Sequence, residues 1–241
     1  MLIDQLHDEL CAALFACGGV PPEKHLPAKY SGPKSDAVFP NERTIVEVKS
    51  LCSDRVEAAE LEGLADQLFS DWSRNGGPIA FGTIHFDVRE MAEPYRGALL
   101  EFYGKRVKRE LGNANRQIRE TAAALGWNDA FGMVVFLTPA SFRTHVGVIS
   151  HAQWSLLRNP RQAPHVDGLI NFAVPVEDHG DPNQPEDMLC VPHPRTKPFP
   201  DGLPRRIAAA WGDHFTHHTG IALNRTDWAS EAFLKRFTSE D

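Results

Sequence analysis

Apolar positions along this chain follow two rhythms. Leu2, Ile3, Leu6, Leu10, Ala13 and Leu14 recur at helical spacing and predict an amphipathic helix that stops at Gly18-Gly19. Residues 20–35 are rich in Pro, Lys and Gly and predict a loop, with a short strand near Leu26–Tyr30. Two short strands follow, Asp36–Phe39 and Thr44–Leu51, joined by Pro40-Asn41-Glu42-Arg43 in a hairpin pattern. Helical spacing returns at Leu61, Leu64, Ala65, Leu68 and Trp72 within Asp54–Asn75, and Ile79–Phe86 reads as a strand. A helical stretch runs from Pro94 to Leu111. After Gly112 a second helix, Asn113–Leu125, carries Ala114, Ile118, Ala122 and Leu125 on one face, with Gly126 as its stop. Phe131–Thr138 is an almost continuous apolar run, the pattern of a strand covered on both faces. Beyond it lie a short helix around His151–Leu157, a strand over Gly168–Val174, a Pro-rich stretch of low periodicity (175–204) and a helix from Pro204 to Phe215.

Strands alternating with helices predict an α/β (α+β) fold. With 241 residues, 42% of them hydrophobic, the chain can bury a full core as one elaborated domain without disulfide support. No run approaches the roughly 18 apolar residues of a membrane span, so the expectation is no membrane partner. The opening MLIDQLHDEL lacks the basic and apolar regions of a secretory signal. Cys11, Cys17, Cys52 and Cys190 show no CxxC spacing, which favours a reduced, cytoplasmic setting. A formal net charge of −7 speaks against a general nucleic-acid coat protein, while leaving room for a local basic face. Motifs for phosphate-cradling loops, dinucleotide folds, zinc proteases and serine hydrolases are absent.

The chemistry concentrates in the hairpin. If Asn41 and Glu42 form its turn, paired positions sum to 83 and Asp36 stands opposite Glu47, with Cβ atoms about 5 Å apart. Lys49 shares the face of Glu47 because strand side chains alternate. Two facing carboxylates beside Val38, Ile45, Val46 and Val48 repel unless a cation lies between them, and oxygen ligands suit Mg²⁺ or Mn²⁺. An edge hairpin that merely exposes its charges, with Lys49 neutralising one acid, is the competing reading.

Asp36 followed by Glu47-Val48-Lys49 resembles the core motif of the PD-(D/E)XK nuclease superfamily, the restriction-endonuclease-like fold. That family often has Pro before the first acid, where this chain has Ser35. The resemblance covers residues 1–140. It implies a mixed β-sheet flanked by helices, with 52–112 as an insertion and 141–241 as a C-terminal extension packed on the core. It further implies that Asp36, Glu47 and the Val48 carbonyl bind Mg²⁺ or Mn²⁺, with Lys49 positioning the attacking water. Glu9, at the edge of the first helix's apolar stripe, is the candidate to complete the metal site. Gln117, within Ala114-Asn115-Arg116-Gln117-Ile118, matches an A-x-x-Q-hydrophobic helix of the family and is expected to orient Lys49 or touch substrate. A different threading uses Asp54–Asn75 and Ile79–Phe86 as core helix and strand and removes Gln117 from the site.

A phosphodiester should meet positive charge. Lys105, Arg106, Lys108, Arg109, Arg116 and Arg119 cluster before and beside Gln117, and form the candidate nucleic-acid surface, DNA before RNA. The resemblance also allows a homodimer. Two rivals stand beside the nuclease reading. One is a non-cleaving nucleic-acid- or protein-binding module on the same fold. The other, weaker, is a zinc-supported scaffold built from Cys190, His193, His214, His217 and His218.

Overall fold

The structure is a computed structural model. It describes residues 3–51, 93–140, 146–159, 161–175, 186, 187, 189–221, 223 and 224, together with four single positions, Gly63, Asp66, Ser70 and Arg74, each helical. Those four fall within the span Asp54–Asn75 where the sequence predicts a helix. The rest of that span and the strand expected over Ile79–Phe86 lie outside the described residues.

A five-stranded mixed sheet carries the fold, with four helices flanking it among the described residues. Helix α1 (Ile3–Ala16) precedes the hairpin β1 (Ala37–Phe39) and β2 (Thr44–Ser50). Helix α2 (Glu93–Leu125) leads into β3 (Phe131–Ala140), and α3 (Val146–Arg158) into β4 (Gly168–Pro175). The chain continues through β5 (Glu186–Asp187), β6 (Leu189–Pro194), α4 (Leu203–Thr219) and β7 (Leu223–Asn224). The order across the sheet is β1-β2-β3-β4-β6. Strands β2, β3 and β4 are parallel, with antiparallel partners at both edges, while β5 and β7 form a separate pair.

Each face of the sheet buries its own layer. Val46, Val48, Met133, Val135, Leu137, Ile170 and Phe172 pack under α1 and α4, against Leu6, Leu10, Leu14, Ile207, Trp211 and Phe215. Val38, Ile45, Val134, Phe136 and Leu169 pack under α2 and α3, against Val107, Leu111, Ile118 and Ile149. Being apolar on both faces is what makes β3 the centre of the sheet. Strands β4 and β6 are two of its five strands and α4 lies on α1, so the segment after residue 140 is woven into the sheet.

Four expectations are corrected. No strand forms near Leu26–Tyr30; Pro22–Lys24 makes a 3-10 turn, and Tyr30 N–H closes a further turn onto the Pro27 carbonyl. Gly112 does not divide two helices. It is exposed on α2, and the buried stripe Tyr103, Val107, Leu111, Ala114, Ile118 and Thr121 outweighs the ~1 kcal/mol a glycine costs there. The Pro-rich stretch contains β6, where Pro192 and Pro194 are tolerated because the strand lies at the sheet edge. The zinc set does not assemble: Cys190 is buried in the α1/α4 layer, and His193, three residues on, lies on the other side of the strand.

Two glycines answer to geometry. Gly126 ends α2 with φ +69°, the left-handed stop expected there. At Gly132 a Cβ would stand 1.9 Å from the His165 carbonyl oxygen, so only glycine lets the loop before β4 close over β3. The loop is tied there by Asp167, whose side chain accepts the Gly132 N–H at 3.0 Å and whose N–H donates to the Gly132 carbonyl at 2.7 Å.

Candidate active site

The hairpin register is the one expected from the turn: Ala37 pairs with Val46, Val38 with Ile45 and Phe39 with Thr44, each pair summing to 83. The turn itself spans Pro40–Arg43, closed by Arg43 N–H on the Pro40 carbonyl at 3.2 Å, with Arg43 at φ 46°. At Asp36 the regular ladder ends. Its N–H donates to the Val46 carbonyl at 3.1 Å, and its Oδ2 accepts the Val48 N–H at 2.7 Å. A strand residue turns its N–H and C=O to the same side, so the Val48 carbonyl also points to the side where Asp36 lies.

Period-two alternation puts Ile45, Glu47 and Lys49 on the α2 side of β2. Lys49 Nζ donates to Glu47 Oε1 at 2.5 Å and to Gln117 Oε1 at 3.0 Å. Gln117 Nε2 in turn donates to the Lys34 carbonyl at 3.0 Å, so one amide clamps Lys49 to the segment that carries Asp36. Ser35 takes part as well. Its buried N–H donates to Thr121 Oγ1 at 2.9 Å, a bond that a proline at this position could not make.

The electrostatics are unbalanced. Glu47 is 1% exposed, and its Oε2 has no hydrogen-bond partner among the described residues. Burial, and then the neighbouring Asp36 charge, push its carboxyl from 4.5 up to about 8 despite Lys49. Asp36 is also raised, chiefly by burial, against the lowering effect of the Val48 N–H, His7 and Lys49. Two acids share one ammonium in a largely buried place. The Asp36 and Glu47 carboxylates and the Val48 carbonyl are oxygen donors, the class of ligand that Mg²⁺ and Mn²⁺ prefer.

Asp36, Glu47, Lys49 and Gln117 are therefore brought together, with Val48 bridging to Asp36, and the threading that excluded Gln117 does not hold. Glu9 is not brought to them. Its carboxylate faces α4, with His218 Nδ1 at 3.2 Å and His214 Nδ1 at 3.7 Å. Helix geometry explains the divergence. At about 100° per residue, position 9 points away from positions 7 and 11, and it is His7 and Cys11 that reach the site. One nitrogen of His7, Cys11 Sγ and one oxygen of Asp36 lie within 4.8 Å of one another. The sequence signal for this pair was available in the i, i+4 spacing of His7 and Cys11 beside the Leu6, Leu10 and Leu14 stripe.

The basic cluster splits. Lys105, Lys108, Arg109, Arg116 and Arg119 are exposed and fall within about a 100° arc, roughly opposite the buried stripe of α2. Lys105 pairs with Glu101 at 2.8 Å, Arg109 with Glu110 at 2.9 Å and Arg119 with Glu120 at 3.2 Å. Lys108 and Arg116 make no ion pair with a described residue. Arg106 alone shares the flank of α2 on which Gln117 meets Lys49, and it is half-buried. No helix of the described residues is long and apolar enough to cross a membrane.

No protein-family model matches this chain, and no curated protein or solved structure matches it.

Proposed function

We propose that this protein is a metal-dependent nuclease of the restriction-endonuclease-like kind, hydrolysing phosphodiester bonds of nucleic acid, with DNA as its first substrate. The observation that carries the reading is the pair of buried Glu47 and half-buried Asp36, short of positive charge by one partner, with Lys49 fixed beside it by Gln117. Asp36, Glu47 and the Val48 carbonyl would hold the divalent ion, which when bound supplies charge stabilisation to a phosphoryl oxygen and acidifies a bound water.

The remaining roles belong to the chain. Lys49 has three N–H donors. Two are committed to Glu47 and Gln117, and the third has no partner among the described residues, leaving it free to hold a water or a phosphate oxygen. Gln117 keeps that ammonium from swinging away, because its own amide is pinned to Lys34. Glu47 anchors the ammonium through Oε1, and its other oxygen has no hydrogen-bond partner among the described residues. Fixed donors arranged in advance around the site of developing charge are the main source of rate in such chemistry.

The test is a cleavage panel on plasmid, linear, single-stranded and RNA substrates with Mg²⁺, Mn²⁺ or EDTA, comparing wild type with Lys49→Ala. Metal-dependent cutting that disappears in Lys49→Ala, while nucleic-acid binding survives, is the expected result. Equal cutting by both proteins, or none with any substrate, would defeat the proposal and leave a binding module.

A further inference from the structure

The geometry points to a second cation position, made by His7, Cys11 and Asp36, that takes a divalent transition ion such as Zn²⁺ or Co²⁺ and shares Asp36 with the Asp36–Glu47 position. His7 and Cys11 stand one turn apart on α1, on the face that meets the end of β1. His7 Nε2 lies 3.9 Å from Asp36 Oδ2, and Cys11 Sγ lies 4.0 Å from His7 Nδ1. All three side chains are half-buried, so the cluster is walled by the fold yet open to ions from solvent.

The chemistry of the donors selects the ion. Carboxylates and carbonyls suit Mg²⁺ and Mn²⁺, whereas an imidazole and a thiolate favour softer ions. One nitrogen, one sulfur and one oxygen make a set that Mg²⁺ has little affinity for and that Zn²⁺ or Co²⁺ would occupy, with a fourth place left for water. Cys11 would bind as its thiolate, its proton passing to solvent. His7 Nδ1 lies near both Cys11 Sγ and Asp8 Oδ1, at 4.0 and 3.6 Å, while Nε2 is turned toward Asp36. Asp36 thus lies between two environments, the hard oxygen set it makes with Glu47 and Val48 and the softer set on α1. This second position stands on its own residues and does not require the nuclease reading to be right.

The test is to titrate the reduced, metal-free full chain with Co²⁺ and follow the near-ultraviolet thiolate-to-cobalt charge-transfer band. A saturating band is expected in wild type, absent from Cys11→Ser and kept in Glu47→Gln, where the hard position has lost a ligand. His7→Ala, at a site one-third exposed and safe to change, should weaken Co²⁺ binding by roughly tenfold or more. Zn²⁺ should bleach the band and Mg²⁺ should not. No band in folded wild type, a band that survives Cys11→Ser, or displacement by Mg²⁺ as readily as by Zn²⁺ would overturn the site. Because the readout is spectroscopic and holds in Glu47→Gln, it can succeed where cleavage fails, and the reverse.

Discussion

Replacing Glu47 by Gln removes a carboxyl whose ionisation the metal-free fold resists. Burial and Asp36 raise this carboxyl from 4.5 to about 8 in the folded protein, whereas the unfolded chain keeps the ordinary value. A group raised by folding contributes stability that is complete below 4.5 and is lost as pH rises through about 8. At pH 7.5, three units above the unfolded value, Glu47 ionises freely in the unfolded chain but is mostly protonated in the fold, and at about 1.36 kcal/mol per unit this difference costs the fold on the order of 4 kcal/mol. The neutral amide of Glu47→Gln avoids that cost, still offers an oxygen to Lys49 and relieves Asp36 of a like charge. In EDTA at pH 7.5 the melting temperature of Glu47→Gln should therefore exceed that of wild type by roughly 10 °C, taking about 2–4 °C per kcal/mol for a chain of this size. The gap should close as the pH is lowered toward 4.5. Lys49→Met should do the opposite and melt below wild type, because it leaves both acids without their ammonium. Mg²⁺ should raise the wild-type melting temperature, by about 2.7 kcal/mol equivalent at a hundredfold excess over Kd, and leave Glu47→Gln nearly unmoved. A Glu47→Gln protein that melts at or below wild type in EDTA, or a gap that does not depend on pH, would refute the view that the two acids lack a cation.

Four further outcomes follow from the same structure. Gln117→Leu should lower cleavage about 10- to 100-fold by freeing Lys49, with the Mg²⁺-induced melting shift retained, and loss of that shift would place Gln117 on the metal instead. Burial lowers His193 from 6.5 to about 4, so its neutral form is favoured by folding and stability is lost as pH falls from 6.5 to 4, by about 3 kcal/mol. His193→Leu should flatten that part of the acid denaturation curve, and an unchanged slope would count against the burial argument. Gly132→Ala should cost at least about 3 kcal/mol in denaturant unfolding, since its Cβ meets main chain that cannot yield, whereas the neutral result of an open site would contradict the packing of the loop before β4. Changing Lys108 and Arg116 together to Gln should reduce the slope of log affinity against log salt for duplex DNA by about 2 if the exposed stripe of α2 carries phosphate contacts. An unchanged slope would move those contacts to the Arg106 flank.

Much of the site is readable from local rules, because those rules act between near neighbours. The pairing sum of the hairpin holds from Ala37 to Phe39 and brings Asp36 to the strand end beside β2, and period-two alternation sets Lys49 beside Glu47; both depend only on positions within one turn and two strands. The apolar run from Phe131 to Thr138 identifies the central strand, since a strand buried on both faces needs no polar residue. Boundaries that depend on tertiary packing are less legible. Gly112 reads as a break in the sequence, yet the stripe from Tyr103 to Thr121 is buried along its whole length and carries the helix through it. The prolines of β6 likewise hide a strand that only an edge position permits.

What the sequence determined by itself is thus the hairpin, its register, its charge pattern and the helix and strand types of the long periodic segments, all of them consequences of spacing along the chain. Tertiary structure decided which distant residues complete the site. It turned Gln117 onto Lys49 across 68 positions, directed Glu9 to the histidines of α4 and delivered His7 and Cys11 to Asp36. The reason is rotational. Both faces of α1 border buried surface, on the sheet and on α4, and the apolar stripe is compatible with either polar flank meeting the hairpin. Only the packing of Leu6, Leu10 and Leu14 against β2 and of α1 against α4 fixes which flank that is.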